Sequence, residues 1–301
     1  MNLPPSMRVF ERGWLSSNNI LFITPGETAL VDSGYCTHAE QTLALVQSAL
    51  GGRRLDRLVN THLHSDHCGG NALLQRSYGC RTTIPVDEAQ AVRAWDEAQL
   101  TFAATGQRCE RFGFDDTFAP GDVLELGGMA WKALAAPGHD PHALLLHCEA
   151  EGILISADAL WENGFGVIFP ELQGESGFAE QRAVLDLIAQ LDLRLVIPGH
   201  GRPFTDAKAA LQRAYSRLDY LTADPQRNPR HAMKVLVAFL LLERQRMELD
   251  AIVEIIGASR LMRAAASQLH PDTGALVAEL AGELVRAGAA RMEGNALLNV
   301  R

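Results

Sequence analysis

Residues Thr61-His62-Leu63-His64-Ser65-Asp66-His67-Cys68-Gly69-Gly70 place three imidazoles and a carboxylate within the six positions 62–67. They directly follow Leu55 to Asn60, a run that reads as a strand ending at Thr61. In extended chain, residues two apart point the same way, so His62 and His64 can share one metal ion. If the chain then turns, Asp66 and His67 face a neighbouring point. Such ligands suit a borderline divalent metal such as zinc. A polar turn of solvated histidines is the alternative, and it leaves four ligands packed behind an apolar strand unexplained.

Two further histidines stand in matching settings: Pro137-Gly138-His139-Asp140 after Lys132 to Ala135, and Pro198-Gly199-His200-Gly201 after Leu195 to Ile197. Each pattern puts an imidazole at a strand end, where α/β folds build sites. Between them Ile153-Leu154-Ile155-Ser156-Ala157-Asp158 ends in a carboxylate able to bridge two metals. Taken alone, Asp158 also reads as a helix N-cap. Asp32, after Ala29-Leu30-Val31, is another strand-end acid.

These residues resemble the metallo-β-lactamase-fold hydrolases, whose pattern is HxHxDH, then a distant His, a distant Asp and a last His near a Gly. His62, His64, Asp66, His67, His139, Asp158 and His200 match it in type and order, and the resemblance spans roughly residues 10–205. It implies that His62, His64 and His139 hold one metal, that Asp66, His67 and His200 hold a second, and that Asp158 bridges them. Asp32 would orient a ligand. The implied cofactor is two zinc ions, with iron or manganese as substitutes. The implied chemistry is hydrolysis by a bridging hydroxide whose proton Asp66 helps to steer. Ser65 and Cys68 are not needed as nucleophiles.

The Ser16 to Leu21 hairpin, the Asp66-His67-Cys68-Gly69-Gly70 turn and Pro198-Gly199-His200-Gly201 look like the glyoxalase II-like branch, which implies a small ester-like substrate, a thioester or lactone. Two readings compete with it: a metallo-endonuclease gripping RNA or DNA through its tail, and a mononuclear-iron sulfur dioxygenase. Trp161, Phe165 and Phe169, on the loop after Asp158, and His142, three residues beyond His139, are candidate pocket residues. Residues 86–118 form an insertion that suggests a lid or a dimer contact. His38, His147, His231 and His270 read as surface or satisfied core histidines.

The elements positioning these residues alternate between strands and helices. A hairpin turns at Thr24-Pro25-Gly26-Glu27, a helix covers His38 to Leu50, and further strands are expected at 123–126, 129–135, 143–148, 152–156 and 193–197. Helices are expected at 178–191 and 206–222. With the resemblance, this makes an α/β, four-layer αββα sandwich over residues 1–222. Asp224 to Pro229 reads as a breaker. Beyond it, helices at 232–244, 247–256, 258–269 and 273–287 and a hairpin around Glu293-Gly294-Asn295 suggest a winged-helix-like domain over 230–301. That tail shows no basic cluster for an anionic substrate.

Composition narrows the function classes. The chain of 301 residues carries 27 Lys+Arg against 36 Asp+Glu, a formal charge of −9. Residues 1–229 hold 18 basic and 28 acidic side chains, and 230–301 hold 9 and 8. This balance argues against binding nucleic acid or an anionic membrane. Five cysteines without a CxxC pair fit free thiols in a reducing cytoplasm. The expected partner is a small-molecule substrate, with a homodimer also open.

Overall fold

The computed structural model describes residues 2–300. Among them, strands build two large sheets and a small one. The first sheet runs β1 (Met7–Phe10), β2 (Asn19–Ile23), β3 (Thr28–Val31), β4 (Arg57–Val59), β5 (Arg81–Pro85) and β6 (Asp116–Phe118) in that spatial order. The pairs β1–β2 and β2–β3 are antiparallel, and Thr24 Oγ1 closes the expected hairpin turn by bonding within Thr24–Glu27. From β3 to β6 the pairing is parallel.

The second sheet comprises β7 (Val123–Leu126), β8 (Met129–Ala135), β9 (Leu144–Cys148), β10 (Ile153–Ala157) and β11 (Leu195–Pro198), with β10 and β11 parallel. Successive strand residues point to opposite faces, and the chain uses both. Ile20, Phe22, Val31 and Val59 meet Trp131, Leu146, Ile155 and Ile197 between the sheets. Phe22 and Trp131 pack edge to face at 5.5 Å. Truncating a fully buried aromatic such as Trp131 to Ala costs about 3–5 kcal/mol.

The alternate residues face outward onto helices. Leu21, Leu30 and Leu58 lie under α1 (Ala39–Leu50). The chain leaves β4 through a single turn, α2 (Ser65–Cys68), and enters α3 (Asn71–Tyr78), whose Leu74 joins the same layer. The insertion carries the short α4 (Ala89–Ala94) and its own core of Leu100, Phe102 and Phe112. On the other side, Leu145, Leu154 and Val196 lie under α5 (Phe178–Ala189) and α6 (Ala207–Thr222). The αββα sandwich follows from that two-faced burial.

The C-terminal part holds α7 (Arg227–Arg244), β12 (Arg246–Glu248), α8 (Leu249–Ala258), α9 (Arg260–Leu269), α10 (Thr273–Arg286), β13 (Ala290–Glu293) and β14 (Ala296–Asn299). Two expectations need correction. The expected breaker does interrupt the helices, at residues 223–226, but its last three residues already belong to α7, because Pro229 sits in the first turn, where a missing N–H has no intrahelical partner to lose. Residues 246–248 are a strand, not the start of a helix, and Met247 is buried opposite Leu297 of β14. Three residues are too few for a period to declare itself.

Leu236, Leu240 and Met233 of α7 share an apolar cluster with α8, α9 and α10. Ala104 of the insertion and Val167 and Leu172 of the loop after Asp158 join that cluster. On another side of α7, Phe239 packs on Leu15 and Tyr35, with rings 5.0 Å apart for Tyr35. The C-terminal helices are therefore cemented to the loops at the sheet ends. No helix among the described residues is long and apolar enough to cross a membrane.

Candidate metal centre

The chain leaves β3 into Asp32, β4 into His62 and His64, β8 into His139, β10 into Asp158 and β11 into His200. Parallel pairing of β3 with β4 and of β10 with β11 brings these exits to one end of the sandwich, where open α/β sheets bind ligands. The turn anticipated after His64 is α2, which carries Asp66 and His67.

The seven candidate ligands named from the sequence converge into two groups, His62 with His64 and His139, and Asp66 with His67, Asp158 and His200. In the first group, His62 Nε2 lies 3.2 Å from His64 Nδ1, which lies 2.8 Å from His139 Nε2. Each ring's outer nitrogen has an acceptor. His139 Nδ1 donates to the Val167 carbonyl at 2.6 Å, His64 Nε2 lies 3.3 Å from Asp140 Oδ2, and His62 Nδ1 lies 3.2 Å from Thr61 Oγ1. Protons on the outer nitrogens leave lone pairs on the inner ones, and three converging lone pairs call for a cation.

In the second group, His200 Nε2 lies 3.0 Å from Asp66 Oδ2. His67 Nε2 is buried without a hydrogen-bond partner, 3.4 Å from Asp158 Oδ1. The other oxygen, Asp158 Oδ2, lies 3.4 Å from His139 Nε2. The same oxygen lies 3.8 Å from His200 Nε2, so Asp158 reaches both groups. These residues fit a pair of divalent ions: the donors are imidazole and carboxylate, and one buried ring nitrogen lacks any other partner.

Backbone strain aims the acids. Asp32 has φ 58 and Ala157, next to Asp158, has φ 43, left-handed values that cost non-glycine residues energy and cluster at functional sites. Asp32 accepts from Thr61 N and Thr61 Oγ1 at 2.9 and 2.8 Å as well as from His67. Gly199 is needed for close approach, since a Cβ there would collide with Asp158 Oδ1. Asn18 Nδ2 donates to the Pro198 and Gly201 carbonyls and Ser17 N donates to the Asp66 carbonyl. The Ser16 to Asn19 segment therefore ties the two ligand-bearing halves together.

Burial, with His67 and His64 nearby, holds His62 well below the ordinary histidine range. Burial and His64 push His139 down to about 4. Both rings are neutral at physiological pH, the form that ligates. Burial works against charge on His67, but Asp32 and Asp158 outweigh it and raise the ring well above the usual range. Burial likewise opposes ionised Asp158 and Asp66. The surrounding histidines win, above all His200 and His67, and lower both carboxyls.

The sequence profile of the Metallo-beta-lactamase superfamily matches residues 12–200, a range that includes all seven candidate ligands. The chain belongs to the metallo-beta-lactamase superfamily. It is 27% identical over 187 residues to a hydroxyacylglutathione hydrolase of Rhizobium etli, covering 62% of each chain. To a protein of the same name from Maricaulis maris it is 26% identical, covering 86% of this chain and 83% of the relative. The chain thus spans less than two thirds of the Rhizobium protein's length. A solved metallo-beta-lactamase family protein from Thermus thermophilus aligns over 99% of this chain and 100% of its own, with a TM-score of 0.60 and 20% identity.

The metallo-beta-lactamase centre opens into a narrow cavity walled by Trp14, Trp161, Phe169, Val167 and, from α7, Val235 and Phe239. Thr101, Thr105 and Gln107 of the insertion close another side. Trp161 and Phe169 are therefore where the sequence reading put them: Trp161 Nε1 donates to Asp158 Oδ1 at 3.2 Å, and Phe169 meets His64 edge on at 5.2 Å.

Phe165 and His142 are corrections. Phe165 is fully buried among Leu160, Ile168 and Leu218, because it falls on the inward side of the loop. The His142 side chain does not line this cavity; its backbone N–H caps Asp140 at 2.7 Å. Three contributors escaped the sequence reading. Asp140 had a signal, its position beside His139. Trp14 and α7 had none, since only folding brings them there. Trp14 is half exposed and stacks on His200 at 5.4 Å.

Proposed function

We propose that this chain is a metal-dependent hydrolase that cleaves a small ester-like substrate, a thioester or a lactone, at a dinuclear zinc centre. The observation that carries the reading is Asp158, whose carboxylate lies between two buried groups of candidate ligands and within reach of histidines in both. The relatives named hydroxyacylglutathione hydrolase support the thioester class. Residues 1–222 would carry the chemistry, and the C-terminal part would complete the cavity wall.

Divalent ions held by the two groups would supply water acidified toward a pKa of ~7 and polarise the substrate carbonyl. The chain's own residues do the rest. Asp32, Asp140 and the Val167 carbonyl hold His67, His64 and His139 in one tautomer. Asp66, ionised and on the cavity lining, can take the nucleophile's proton. Trp14, Trp161, Phe169 and Phe239 exclude bulk water from the acyl group and strengthen electrostatic interactions there.

The narrow cavity, with no Lys or Arg among the described residues of its lining, favours a small molecule over a polynucleotide, which needs an open basic track. The test is metal content per chain together with a panel of thioesters, lactones, β-lactams and phosphodiesters. Two zinc ions with thioester or lactone turnover is the expected result. One iron per chain with oxygen uptake on a persulfide would overturn it, as would turnover confined to phosphodiesters.

A further inference from the structure

On the far side of His200 lies a second cavity of about 410 Å³, lined among others by Trp14, Trp161, Arg202, Arg217 and His231. It shares Trp14, Trp161 and His200 with the metal cavity, so a molecule spanning both is in contact with the second ligand group. Arg217 comes from α6 and His231 from the start of α7.

Arg217 is a cation without a counter-charge. Arg108, Arg182 and Arg230 each pair with a carboxylate, but Arg217 pairs with none among the described residues. Its Nη2 donates to His231 Nε2 at 2.5 Å, its guanidinium carbon stands 5.3 Å from the Phe165 ring, and its Nε is buried without an acceptor. Burial lowers its pKa, yet a guanidinium stays protonated in proteins. The sole carboxylate on the cavity lining, Glu162, is exposed. Holding a half-buried charged fork with donors unspent is costly, and a ligand that accepts from them would offset that cost.

The surroundings hold the fork in place. Gly164 has φ 124, and a Cβ there would lie 2.9 Å from Arg217 Cδ and 3.2 Å from Nη1. Burial, with Arg217 and Lys234 nearby, pushes His231 down to about 3, so its Nε2 is a permanent acceptor that fixes one arm of the fork. The remaining N–H groups of a planar guanidinium match the two oxygens of a carboxylate.

We propose that Arg217, positioned by His231, is a subsite for a carboxylate carried by the substrate beyond its scissile ester or thioester. The subsite rests on the hydrolase reading for its purpose. It needs no basic cluster in the tail: the cation is a single half-buried arginine from α6, and the tail contributes its orienting histidine.

The test uses the zinc-loaded protein, calorimetric titration with succinate, and two 4-nitrophenyl esters of equal length, one ending in a carboxylate and the other in its methyl ester. Arg217→Met should weaken succinate at least tenfold. It should lower the carboxylate-to-methyl-ester ratio of kcat/KM at least tenfold, chiefly through KM. Arg217→Lys should restore part of both effects, because it keeps the charge but not the fork. Gly164→Ala should reproduce the loss with the arginine still present, and it decides the matter if Arg217→Met fails to fold. Equal succinate affinity and an equal ester ratio in wild type and variants would overturn the subsite, since succinate held by zinc alone does not distinguish them. If neither ester is hydrolysed while succinate binding still depends on Arg217, the hydrolase reading fails and the anion site stands.

Discussion

His67 donates its Nδ1 proton to Asp32 Oδ2 at 2.8 Å, while its Nε2, buried and without a hydrogen-bond partner, points toward Asp158. The acid behind the ring thereby decides which nitrogen is free to ligate. Asp32→Asn keeps the shape but removes the charge. Zinc affinity at the second group should fall about 10–100-fold, read by competition with a chromogenic chelator. Asp32→Ala also strands the buried Thr61 N–H, so it should cost a further ~1–3 kcal/mol in denaturant unfolding. Zinc binding as tight in the Asn variant as in wild type would refute this role.

Asp158 faces both groups, so its loss should be felt by both. Asp158→Ala should lower zinc content to less than one ion per chain, whereas His64→Ala should empty the first group, abolish turnover and leave the fold intact by circular dichroism. Full occupancy in Asp158→Ala would show that the residue does not bridge.

Trp14 stacks on His200 and meets Trp161 edge on at 5.3 Å, yet it is half open to solvent. It shapes the cavity without ligating. Trp14→Ala should raise KM about tenfold or more with a smaller change in kcat, because it removes apolar contact made equally in ground and transition states. A collapse of kcat with KM unchanged would instead place Trp14 in the chemical step.

Glu88 is buried behind Asp140, and burial, with Asp140 and Asp87 nearby, pushes its carboxyl up to about 9 from 4.5. Between those values the folded state binds the extra proton, so stability falls as pH rises through the window. The slope from this group is up to about 1.4 kcal/mol per pH unit. Glu88→Gln, which mimics the protonated form, should match wild type near pH 4 and exceed it at pH 8–9 in urea unfolding. Parallel stability curves for the two proteins would contradict a raised pKa.

Much of the centre was legible because its ligands are local. His62, His64, Asp66 and His67 stand in one strand-exit segment, and His139, Asp158 and His200 each end an apolar run, so the resemblance to the family's pattern could be read residue by residue. The two-faced burial of β2, β3 and β10 was readable as apolar runs bounded by turn residues. Phe165 and His142 misled because proximity in sequence to Asp158 and His139 says nothing about side-chain direction in an irregular loop. β12 was missed because a strand of three residues exists only through its partner β14.

Sequence by itself determined the ligand types, their order and the layered α/β scaffold, since strand and helix periods and strand-end residues are properties of short stretches of chain. Tertiary structure alone decided what surrounds the two groups of candidate ligands. Trp14 reaches His200, α7 walls the cavity, and Arg217 meets His231 across two helices with no acid to neutralise it. Those contacts join positions many residues apart, and whether a charge finds a partner depends on how whole layers pack. No local pattern encodes that outcome.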